Sequence, residues 1–550
     1  MTFANLRHLL ETRTAETPDK TFLFAEADGR EWTYAEFDKA VNRTANMLLA
    51  NSVGKGDVVS LLMPNSPEYV TAYFACWKLG AIAGPVNSLL KPEEVAWVVT
   101  NSESKLILSE PSALAGGQLD CVPDTIPVVT NWPPAHAGGS DLLAETTLTT
   151  DDEAIIIYTS GTTGKPKGCL LTHGNLLANA EQITNWMGFG SDDRLLTIMP
   201  LFHMNAVTVT TMTALYCGGS TVVSPKFSGS RFWDIIEKYG ITSFGSVATM
   251  LSMLLTRSEP PASAGGQIVN RESATWPPAH AGGSDSLKFA MCGSAPVPAE
   301  VLKRFEETFG VLVIEGYGLS ESTCRSSFNP PNENRRPGSC GLPIGNEMAV
   351  FDEEDNAVND GELGEIVLRG PNIFKAYFKN PDATAKAFAN GWFHTGDIGY
   401  RDTDGFFYIA DRKSDMIIRG GENIYPREID DLLYTHPAIA AAAVIGVPDN
   451  LYGEEVAAFI VLKDGYEAAA KAETRLLGSV SDSMHKPARE QGRYQAAADQ
   501  SISEQDIIDF CKLHLADYKC PKTIHFVDDI PKGPTGKLLK RELAKLVSRA

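Results

Sequence analysis

The chain has 550 residues, more than a single hydrophobic core holds, so its length predicts at least two domains. Its 48 Lys and Arg against 69 Asp and Glu give a formal net charge of -21, which argues against general binding to nucleic acid or to an anionic membrane. The nine cysteines form no CxxC pair and are interpreted as buried thiols of a protein in a reducing compartment. The longest apolar run, Ile439 to Val447, is too short to span a bilayer, and the N-terminus has no apolar core of signal-peptide length, so the cytoplasm is the expected location.

From Phe22 onward, apolar runs of strand length alternate with segments of helical periodicity. "YAEFDKAVNRTANMLLANS" and "RFWDIIEKYG" have the helical pattern, whereas "DVVSLLMP", "KLILSE", "STVVSP", "LKFAMCG" and "VLVIEGYG" have the composition of buried strands. This alternation is typical of a large, multi-layered α/β domain, which we assign to residues 1–412.

A smaller α+β domain is predicted for residues 413–550, with the boundary near Arg412 to Asp415. Here the helix-like "REIDDLLYTHPAI" and "EQDIIDFCKLHLADY" are interleaved with the strand-like "AAAVIGV" and "AAFIVL". The polar, poorly patterned stretch from about 467 to 500 is predicted to interrupt this domain as a mobile insert.

One decapeptide, "WPPAHAGGSD", occurs at 132–141 and again, letter for letter, at 276–285. Weaker echoes are "PSALAGG" from Pro111 and "PPASAGG" from Pro260. The irregular spacing excludes a solenoid, and the Pro-Pro and Gly-Gly pairs favour exposed loop inserts without chemistry. His136 and His280 lie inside these inserts and are therefore discounted as ligands.

The stretch "YTSGTTGKPKG", Tyr158 to Gly168, follows a strand-like run and combines glycines, hydroxyls and lysines. Only two residues separate Gly161 from Gly164, and Lys165 precedes a proline, so the spacing is not that of a P-loop NTPase. Glycines allow backbone amides to approach an anion, and the hydroxyls and lysines add donors and charge. We predict a phosphate-binding loop rather than a solvated hairpin tip.

Of four further clusters, three have a purely structural interpretation when each is taken alone. His203 in "MPLFHMNA" suits a core histidine, "CGSAPVP" suits a tight turn, and Lys537 in "PKGPTGKLLKREL" suits a solvated charge. In "IEGYGLSES", however, an apolar strand ends in Tyr317, Ser320 and Glu321, and a strand end of an α/β fold is a usual place for ligand contacts.

The order of these clusters resembles that of the adenylate-forming superfamily, which includes acyl-CoA synthetases, carrier-loading adenylation domains and firefly luciferase. The motifs "YTSGTTGKPKG", "YGLSE", "HTGD" and "PTGK" occur in sequence, and the match runs from about Phe22 to Leu543 outside the inserts. The resemblance implies the adenylate-forming fold and a reaction in which a carboxylate attacks the α-phosphorus of ATP. The departure of pyrophosphate yields an acyl-AMP, and a thiol then displaces AMP.

The resemblance also implies roles for individual residues, with ATP, Mg²⁺ and coenzyme A as the small molecules bound. It places the β- and γ-phosphates on Thr159, Ser160, Gly161, Thr162, Thr163, Gly164 and Lys167, and the adenine and ribose on Ser294, Ala295, Pro296, Tyr317, Gly318, Ser320, Asp397 and Arg412. Glu321 matches the Mg²⁺ ligand, with Thr159 as a second contributor. Ser320 stands where the family more often has Thr, which keeps the hydroxyl.

The remaining implied roles concern the acid, the thiol and the movement between the two steps. Lys537 matches the catalytic lysine that bridges the substrate carboxylate and the α-phosphate, and the resemblance places the pantetheine arm on the turn at Gly420, Gly421 and Glu422. His203, Asn205, Val247 and Gly293 match the acid pocket, with His203 at the gate to the thiol channel. Ser414 occupies the hinge, where relatives commonly carry Asp or Lys.

Three functions remain open from the sequence. An acid:CoA ligase is favoured because "FHMNAVTV" lacks the Asp that amino-acid activators use and "GGENIYPREI" follows the ligase pattern. The second is an adenylation enzyme that loads an acid onto a carrier protein, and the third is a luciferase-like oxygenase or an idle binding protein. The pocket segments "NAVTVTTM" and "FGSVATM" are small and apolar, which suggests a short or medium aliphatic acid or a compact aromatic one. The expected partner is a small carboxylic acid, with a homodimer as the candidate assembly.

Overall fold

A computed structural model describes residues 3–130, 141–159, 166–258, 286–293, 299–463, 465–469, 501–533 and 538–547. The described chain divides into two compact units. The first comprises the chain to Ser414 together with Gly533, and the second comprises Asp415 to Lys532 and the chain from Leu538. The layered α/β architecture of the first and the smaller α+β architecture of the second are as the sequence predicts.

The helices are α1 Leu6–Glu16, α2 Tyr34–Ala50, α3 Pro67–Leu79, α4 Pro92–Asn101, α5 Pro111–Ala115, α6 His173–Met187, α7 Thr213–Tyr216, α8 Phe232–Tyr239, α9 Ala248–Ser258, α10 Ala299–Phe309, α11 Pro381–Ala387, α12 Pro426–Tyr434, α13 Glu504–His514 and α14 Lys540–Val547. A π-helix spans Asn205–Met212, and 3₁₀ turns span Ser320–Ser322 and Asp517–Lys519. None of the described helices is both long and apolar enough to cross a membrane.

The strands of the first unit are β1 Thr21–Ala25, β2 Glu31–Thr33, β3 Val58–Leu62, β4 Ile82–Pro85, β5 Ser104–Ser109, β6 Val128–Val129, β7 Glu153–Thr159, β8 Lys167–Thr172, β9 Arg194–Thr197, β10 Ser220–Val223, β11 Ser243–Ser246, β12 Phe289–Cys292, β13 Val313–Tyr317, β14 Ser327–Phe328, β15 Leu342–Pro343, β16 Glu347–Phe351, β17 Gly364–Arg369, β18 Ala376–Tyr377, β19 Phe388–Ala389, β20 Trp392–Arg401 and β21 Phe407–Arg412. Those of the second are β22 Ile417–Arg419, β23 Glu422–Ile424, β24 Ile439–Asp449, β25 Gly453–Leu462, β26 Glu467–Ala468, β27 Ser501–Ile502 and β28 Thr523–Phe526.

Two large sheets organise the first unit. One has the order β15-β14-β13-β12-β11-β9-β10-β1-β2 and the other β18-β8-β7-β4-β3-β5-β6. In the former, β1 and β9 to β13 run parallel, so their carboxyl ends meet at one edge. Strands β16, β17, β19, β20 and β21 form a third, antiparallel sheet.

Local signals set the ends of the helices that pack between these sheets. Thr33 caps α2 and forms a capping box with Glu36, and Ser66 caps α3 ahead of Pro67. Gly80 ends α3 in the left-handed conformation that a glycine adopts at low cost. Nearly every residue of α3 is buried, as expected of a helix that is apolar around its whole circumference.

In the second unit, β23-β22-β25-β24 form a sheet to which β28 adds beside β25. Its core lies between this sheet and helices α12 and α13, and includes Ile429, Leu433, Ile507 and Ile524. Strands β26 and β27 pair parallel, so the polar insert predicted at about 467–500 begins with a short strand. Its remaining residues, 470–500, lie outside the described chain.

Two details differ from the sequence-based expectation. All nine cysteines are free, but Cys121 is exposed and Cys217 and Cys340 are half-buried, so only the other six are buried thiols. The echo "PSALAGG" begins with helix α5, whose Ala113 is buried, so this copy is not an exposed loop throughout. Both full copies of the decapeptide, with His136 and His280, lie outside the described residues except for Asp141, which pairs with Arg43 (Nε to Oδ1, 2.6 Å).

Candidate active site

Strands β7 and β8 hold the glycine- and hydroxyl-rich loop between them. The two strands are antiparallel neighbours, with Thr159 paired to Lys167, so the loop connects a hairpin. Thr159 and Lys167 are described, whereas the predicted phosphate-binding residues Ser160, Gly161, Thr162, Thr163 and Gly164 lie outside the described residues. The hairpin fixes where the loop leaves and re-enters the sheet.

Glu321 follows β13 and lies beside the base of this hairpin. Its side chain is largely buried, and its Oε1 accepts hydrogen bonds from the hydroxyl of Tyr377 at 3.0 Å and from that of Thr159 at 3.4 Å. The ammonium of Lys167 lies 5.0 Å from the centroid of the Tyr377 ring. Burial and the Glu321 carboxylate raise the pKa of Tyr377, so it remains a hydrogen-bond donor.

A carboxylate with a hydroxyl alongside suits a hard divalent cation. No group of three or more His, Cys, Asp or Glu side chains with metal-binding geometry occurs among the described residues. Mg²⁺ needs no such group, because it keeps several waters and binds through one or two carboxylates together with substrate phosphates. The Glu321 and Thr159 oxygens therefore fit a Mg²⁺ ion that arrives with ATP.

Asp397 is the centre of a second polar group. It lies on β20 opposite Arg412 of β21, and the Arg412 Nε approaches its Oδ1 at 3.2 Å. The hydroxyl of Tyr317, at the end of β13, donates to its Oδ2 at 2.6 Å. Burial and the Asp397 charge raise the pKa of Tyr317. The structure thus brings together Tyr317, Asp397 and Arg412, which are far apart in the sequence.

The loop between Tyr317 and Cys324 is folded tightly back on itself. Ser320 and Glu321 begin the 3₁₀ turn, and the N–H of Ser326 returns to the carbonyl of Tyr317 at 2.8 Å. A Cβ at Gly318 would come within 2.0 Å of the Cys324 carbonyl oxygen. Gly318 is therefore required by close backbone packing, whatever part it takes in binding a nucleotide.

Two of the predicted acid-pocket residues, Val247 and Gly293, lie at the carboxyl ends of neighbouring parallel strands. Val247 follows β11, Gly293 follows β12, and Asn205 begins the π-helix. That π-helix covers the whole of the predicted pocket segment "NAVTVTTM", and such helices often occur at functional sites. A Cβ at Gly245 would lie 2.5 Å from the Asn205 Oδ1, so the missing side chain makes room for the amide.

His203 has its Nε2 buried and without a hydrogen-bond partner in the described part of the chain. Its ring packs against that of Phe202, with centroids 4.7 Å apart. Burial lowers the pKa of His203 to about 4, because the charged imidazolium loses its solvation. The ring is therefore neutral at physiological pH, in keeping with a gate rather than a cationic contact.

In the second unit, Gly420 and Gly421 form the two-residue turn between β22 and β23. Both have positive φ, +60° and +91°, the conformation that a type I′ hairpin turn requires. Tyr452 holds the turn in two ways. Its carbonyl accepts a hydrogen bond from the N–H of Gly420 at 2.8 Å, and its ring packs under the guanidinium of Arg419. Glu422 is exposed beside the turn.

Several predicted residues are not placed by the described structure. Lys537 and the adenine-side residues Ser294, Ala295 and Pro296 lie outside the described residues. The predicted hinge, Ser414, is described, and the first unit ends at that residue.

Sequence reasoning missed two residues at this site. Tyr377 lies in "KAYFKN", where nothing in the pattern connects it to Glu321. Arg325 lies in "ESTCRSSF", and its side chain is almost completely buried. A single arginine in a run of small uncharged residues is the signal that could have singled it out. Arg325 lies outside the two segments, "NAVTVTTM" and "FGSVATM", from which a small, apolar pocket with few charges is expected.

Comparisons with known proteins cover nearly the whole chain. The AMP-binding enzyme family matches residues 10–378, and the AMP-binding enzyme C-terminal domain matches residues 428–537. The chain is 33% identical to a sulfoacetate–CoA ligase of Cupriavidus necator, over 98% of this chain and 97% of that protein. It is 32% identical to an oxalate–CoA ligase of Arabidopsis thaliana, over 98% of each chain.

A solved structure with similar architecture is ATP-bound MatB from Rhodopseudomonas palustris. It superimposes with a TM-score of 0.83 at 28% identity, over 98% of this chain and 99% of that one. The similarity spans both matched regions.

Proposed function

Because the chain belongs to the AMP-binding enzymes, an adenylate-forming family, and is an acid–thiol ligase like its relatives, we propose that it joins a short or medium aliphatic acid, or a compact aromatic one, to coenzyme A. The reaction has two steps, through an acyl-AMP with release of pyrophosphate and then through thioester formation with release of AMP. The observation that supports it most is the pair of polar groups at Glu321 and Asp397, assembled beside the loop at Thr159.

The first step needs charge stabilisation on the phosphates. Thr159, Lys167 and the loop between them would bind the β- and γ-phosphates, where Lys167 adds positive charge as pyrophosphate departs. A Mg²⁺ ion on Glu321 and Thr159 would supply further electrostatic stabilisation of the leaving group. The hydrogen bond from Tyr377 holds the Glu321 carboxylate in place for that role.

The nucleoside end of ATP would bind at Asp397. A carboxylate accepts two hydroxyl hydrogen bonds at once, which suits the two ribose hydroxyls. Tyr317 and Arg412 orient that carboxylate from two sides, and Arg412 is exposed enough to reach a phosphate as well. In our proposal Ser294, Ala295, Pro296 and Gly318 line the adenine, with the Tyr317 ring against the base and the Ser320 hydroxyl close to the phosphates.

Lys537 is proposed as the catalytic lysine. Two anions, the acid carboxylate and the α-phosphate, must approach each other, and a lysine between them offsets their repulsion while orienting both. The division of the chain directly after Ser414 supports that residue as the hinge. Rotation there would withdraw Lys537 after adenylation and present the turn at Gly420, Gly421 and Glu422 to the pantetheine arm.

The acid would bind among His203, Asn205, Val247 and Gly293, with a neutral His203 at the entrance of the thiol. The two relatives are named for different acids, so family membership does not name the acid used here. Loading of a carrier protein is not favoured, because the relatives are CoA ligases. The free cysteines support a reducing, cytoplasmic location, and a homodimer stays a prediction.

The experiment that tests the proposal is product analysis. The purified protein is incubated with ATP, Mg²⁺, coenzyme A and a panel of acids, and AMP, ADP and the thioester are separated by chromatography. The proposal predicts equal amounts of AMP and acyl-CoA with no ADP. Formation of ADP, or thioester formation only on an added carrier protein, would contradict it.

A further inference from the structure

Arg325 is a buried cation whose Cζ lies 5.4 Å from the centroid of the Phe328 ring, and no described carboxylate pairs with it. About 1% of its surface is exposed, and its Nε and Nη2 donate no hydrogen bond to any described residue. The described carboxylates lie beyond ion-pair distance of its guanidinium; Glu315, which like Arg325 acts electrostatically on the Cys292 thiol, instead accepts the N–H of Gly338 at 2.8 Å. Burying a cation without an anion is strongly unfavourable, so Arg325 calls for an anionic partner.

The guanidinium lies over the acid-pocket end of the parallel sheet. A Cβ at Gly293 would come within 2.6 Å of the Arg325 Nη1 and 2.6 Å of the Gly316 carbonyl oxygen. Gly293 follows β12 and Gly316 belongs to the adjacent β13, and alternation along β13 turns the Glu315 side chain to the opposite face. The missing side chain of Gly293 thus leaves the space that the arginine occupies.

Asn205 lies on the same face of the sheet. Its side chain is 3% exposed, and neither its Nδ2 nor its Oδ1 has a hydrogen-bond partner among the described residues. It contacts Gly245, which is in register with Met291, two residues before Gly293. Because residues two apart in a strand share a face, Asn205 and Arg325 approach the same surface over neighbouring strands.

The backbone before Arg325 is strained. Thr323 has φ +64°, a left-handed conformation that is an outlier for a β-branched residue. It is held there because its carbonyl accepts from Thr208 of the π-helix at 3.2 Å and its hydroxyl donates to the Asn372 carbonyl at 2.6 Å. These contacts direct the chain inward at Arg325 and connect it to the helix that carries Asn205.

We propose that Arg325 and Asn205 bind a second oxyanion of the acid, so that the substrate is a short acid with a carboxylate or sulfonate at its far end. Nε and Nη2 are the adjacent donors of the guanidinium fork, and together they match two oxygens of one oxyanion. The Asn205 amide adds a donor, since its Nδ2 is also unpartnered. This inference rests on the proposed ligase function and narrows its substrate class.

The test compares acids of matched shape. Malonate is paired with 3-methylbutyrate, succinate with 4-methylpentanoate, and 3-sulfopropanoate with 4,4-dimethylpentanoate, so each pair differs in one charged group. We expect the wild-type kcat/KM for pyrophosphate release to be at least about tenfold higher for one or more of the dianionic acids. The carboxylate and sulfonate pairs distinguish the two oxyanions.

Variants separate recognition from packing. Arg325→Met keeps the length of the side chain without the charge, and should lower kcat/KM for the preferred dianionic acid on the order of a hundredfold while sparing its monoanionic partner. Arg325→Lys should keep part of the preference, because the charge remains and the fork is lost. Equal loss with both acids of a pair would show a packing role and overturn the inference.

The wild-type comparison does not depend on whether any variant folds. Preference for the monoanionic partner in all three pairs, with CoA-dependent turnover, would overturn the inference and leave the ligase proposal standing. Failure of every acid to promote pyrophosphate release would instead count against the ligase proposal itself, and the inference would fall with it.

Discussion

The proposed nucleotide side and the proposed acid side of the site differ in how many of their polar groups have hydrogen-bond or ion-pair partners. Around Glu321 and Asp397, carboxylates, hydroxyls and an arginine are paired with one another before any ligand binds. On the acid side, His203, Asn205 and Arg325 each carry a buried polar atom without a partner among the described residues. In our proposal the paired side binds ATP, whichever acid is used. The unpaired polar atoms on the proposed acid side call for partners, and in our proposal the acid supplies them.

Substitution of Lys537, which is predicted to contact both the acid and the α-phosphate, should cause the largest loss of activity. Lys537→Ala is expected to lower acyl-AMP formation on the order of a thousandfold or more, because the two approaching anions lose their shared counter-charge. Thioester formation from supplied acyl-AMP should be nearly unchanged. The measurement is single-turnover kinetics of each half-reaction, with Lys532→Ala, an exposed lysine paired to Asp529, as the control. Equal loss in both half-reactions would refute the assigned role.

Breaking the nucleotide side should affect every acid alike. Glu321→Gln is expected to lower kcat on the order of a hundredfold, because the Mg²⁺ ion proposed to bind there would lose a negatively charged ligand. Tyr377→Phe removes only the hydrogen bond at 3.0 Å and should cost about tenfold or less. Both are measured as ATP- and Mg²⁺-dependent pyrophosphate release with several acids. A loss that varies strongly from acid to acid would place Glu321 on the acid side instead.

The neutral histidine on the acid side should appear in the pH dependence of stability. The pKa of His203 is about 4 when folded, against an ordinary value of 6.5, so the unfolded chain binds a proton between these values that the folded chain does not. The neutral ring therefore contributes to the free energy of unfolding above pH 6.5, and this contribution is lost as the pH falls towards 4. The loss amounts to about 2 kcal/mol at pH 5.

Denaturant unfolding at pH 7 and pH 5 measures this effect. Between these pH values, the wild type should lose about 2 kcal/mol more stability than His203→Asn, because the variant has no group to titrate. His514→Asn, on the exposed side of α13, is the matched control. Identical losses for the wild type and His203→Asn would show that His203 is not buried in its neutral form.

The smallest change in activity should come from deleting the first copy of the repeated decapeptide, which belongs to neither side of the proposed site. Deletion of residues 132–140, which keeps Asp141 and its ion pair with Arg43, should change turnover by no more than about twofold. Turnover and the thermal melting curve are compared with those of the full chain. A large fall in activity with an unchanged melting curve would show that the repeated decapeptide has a function.

Much of the fold could be predicted because its signals are local. The runs around Val58, Phe289 and Val313 are strands, and the periodic segment after Thr33 is helix α2, since apolar spacing and capping act within a few residues. The order of the motifs along the chain gave the family resemblance, and that resemblance identified Glu321, Tyr317 and Asp397 as candidate site residues.

The acid side could not be predicted in the same way. The burial of Arg325 depends on Gly293, whose missing side chain leaves room for the guanidinium, and on a strained Thr323 held by the π-helix. The contact of Tyr377 with Glu321 likewise joins residues 56 apart in sequence. Such tertiary contacts produce no periodic pattern in the sequence. The one local signal was Arg325 itself, a single arginine among small residues.

The most direct measurement is pyrophosphate release from ATP and Mg²⁺ with aliphatic, aromatic, dianionic and amino acids, each with and without coenzyme A. A ligase should show sustained turnover only when both a suitable acid and coenzyme A are present. Acid-dependent pyrophosphate release that is indifferent to coenzyme A would contradict the account and point to another acceptor for the acyl group.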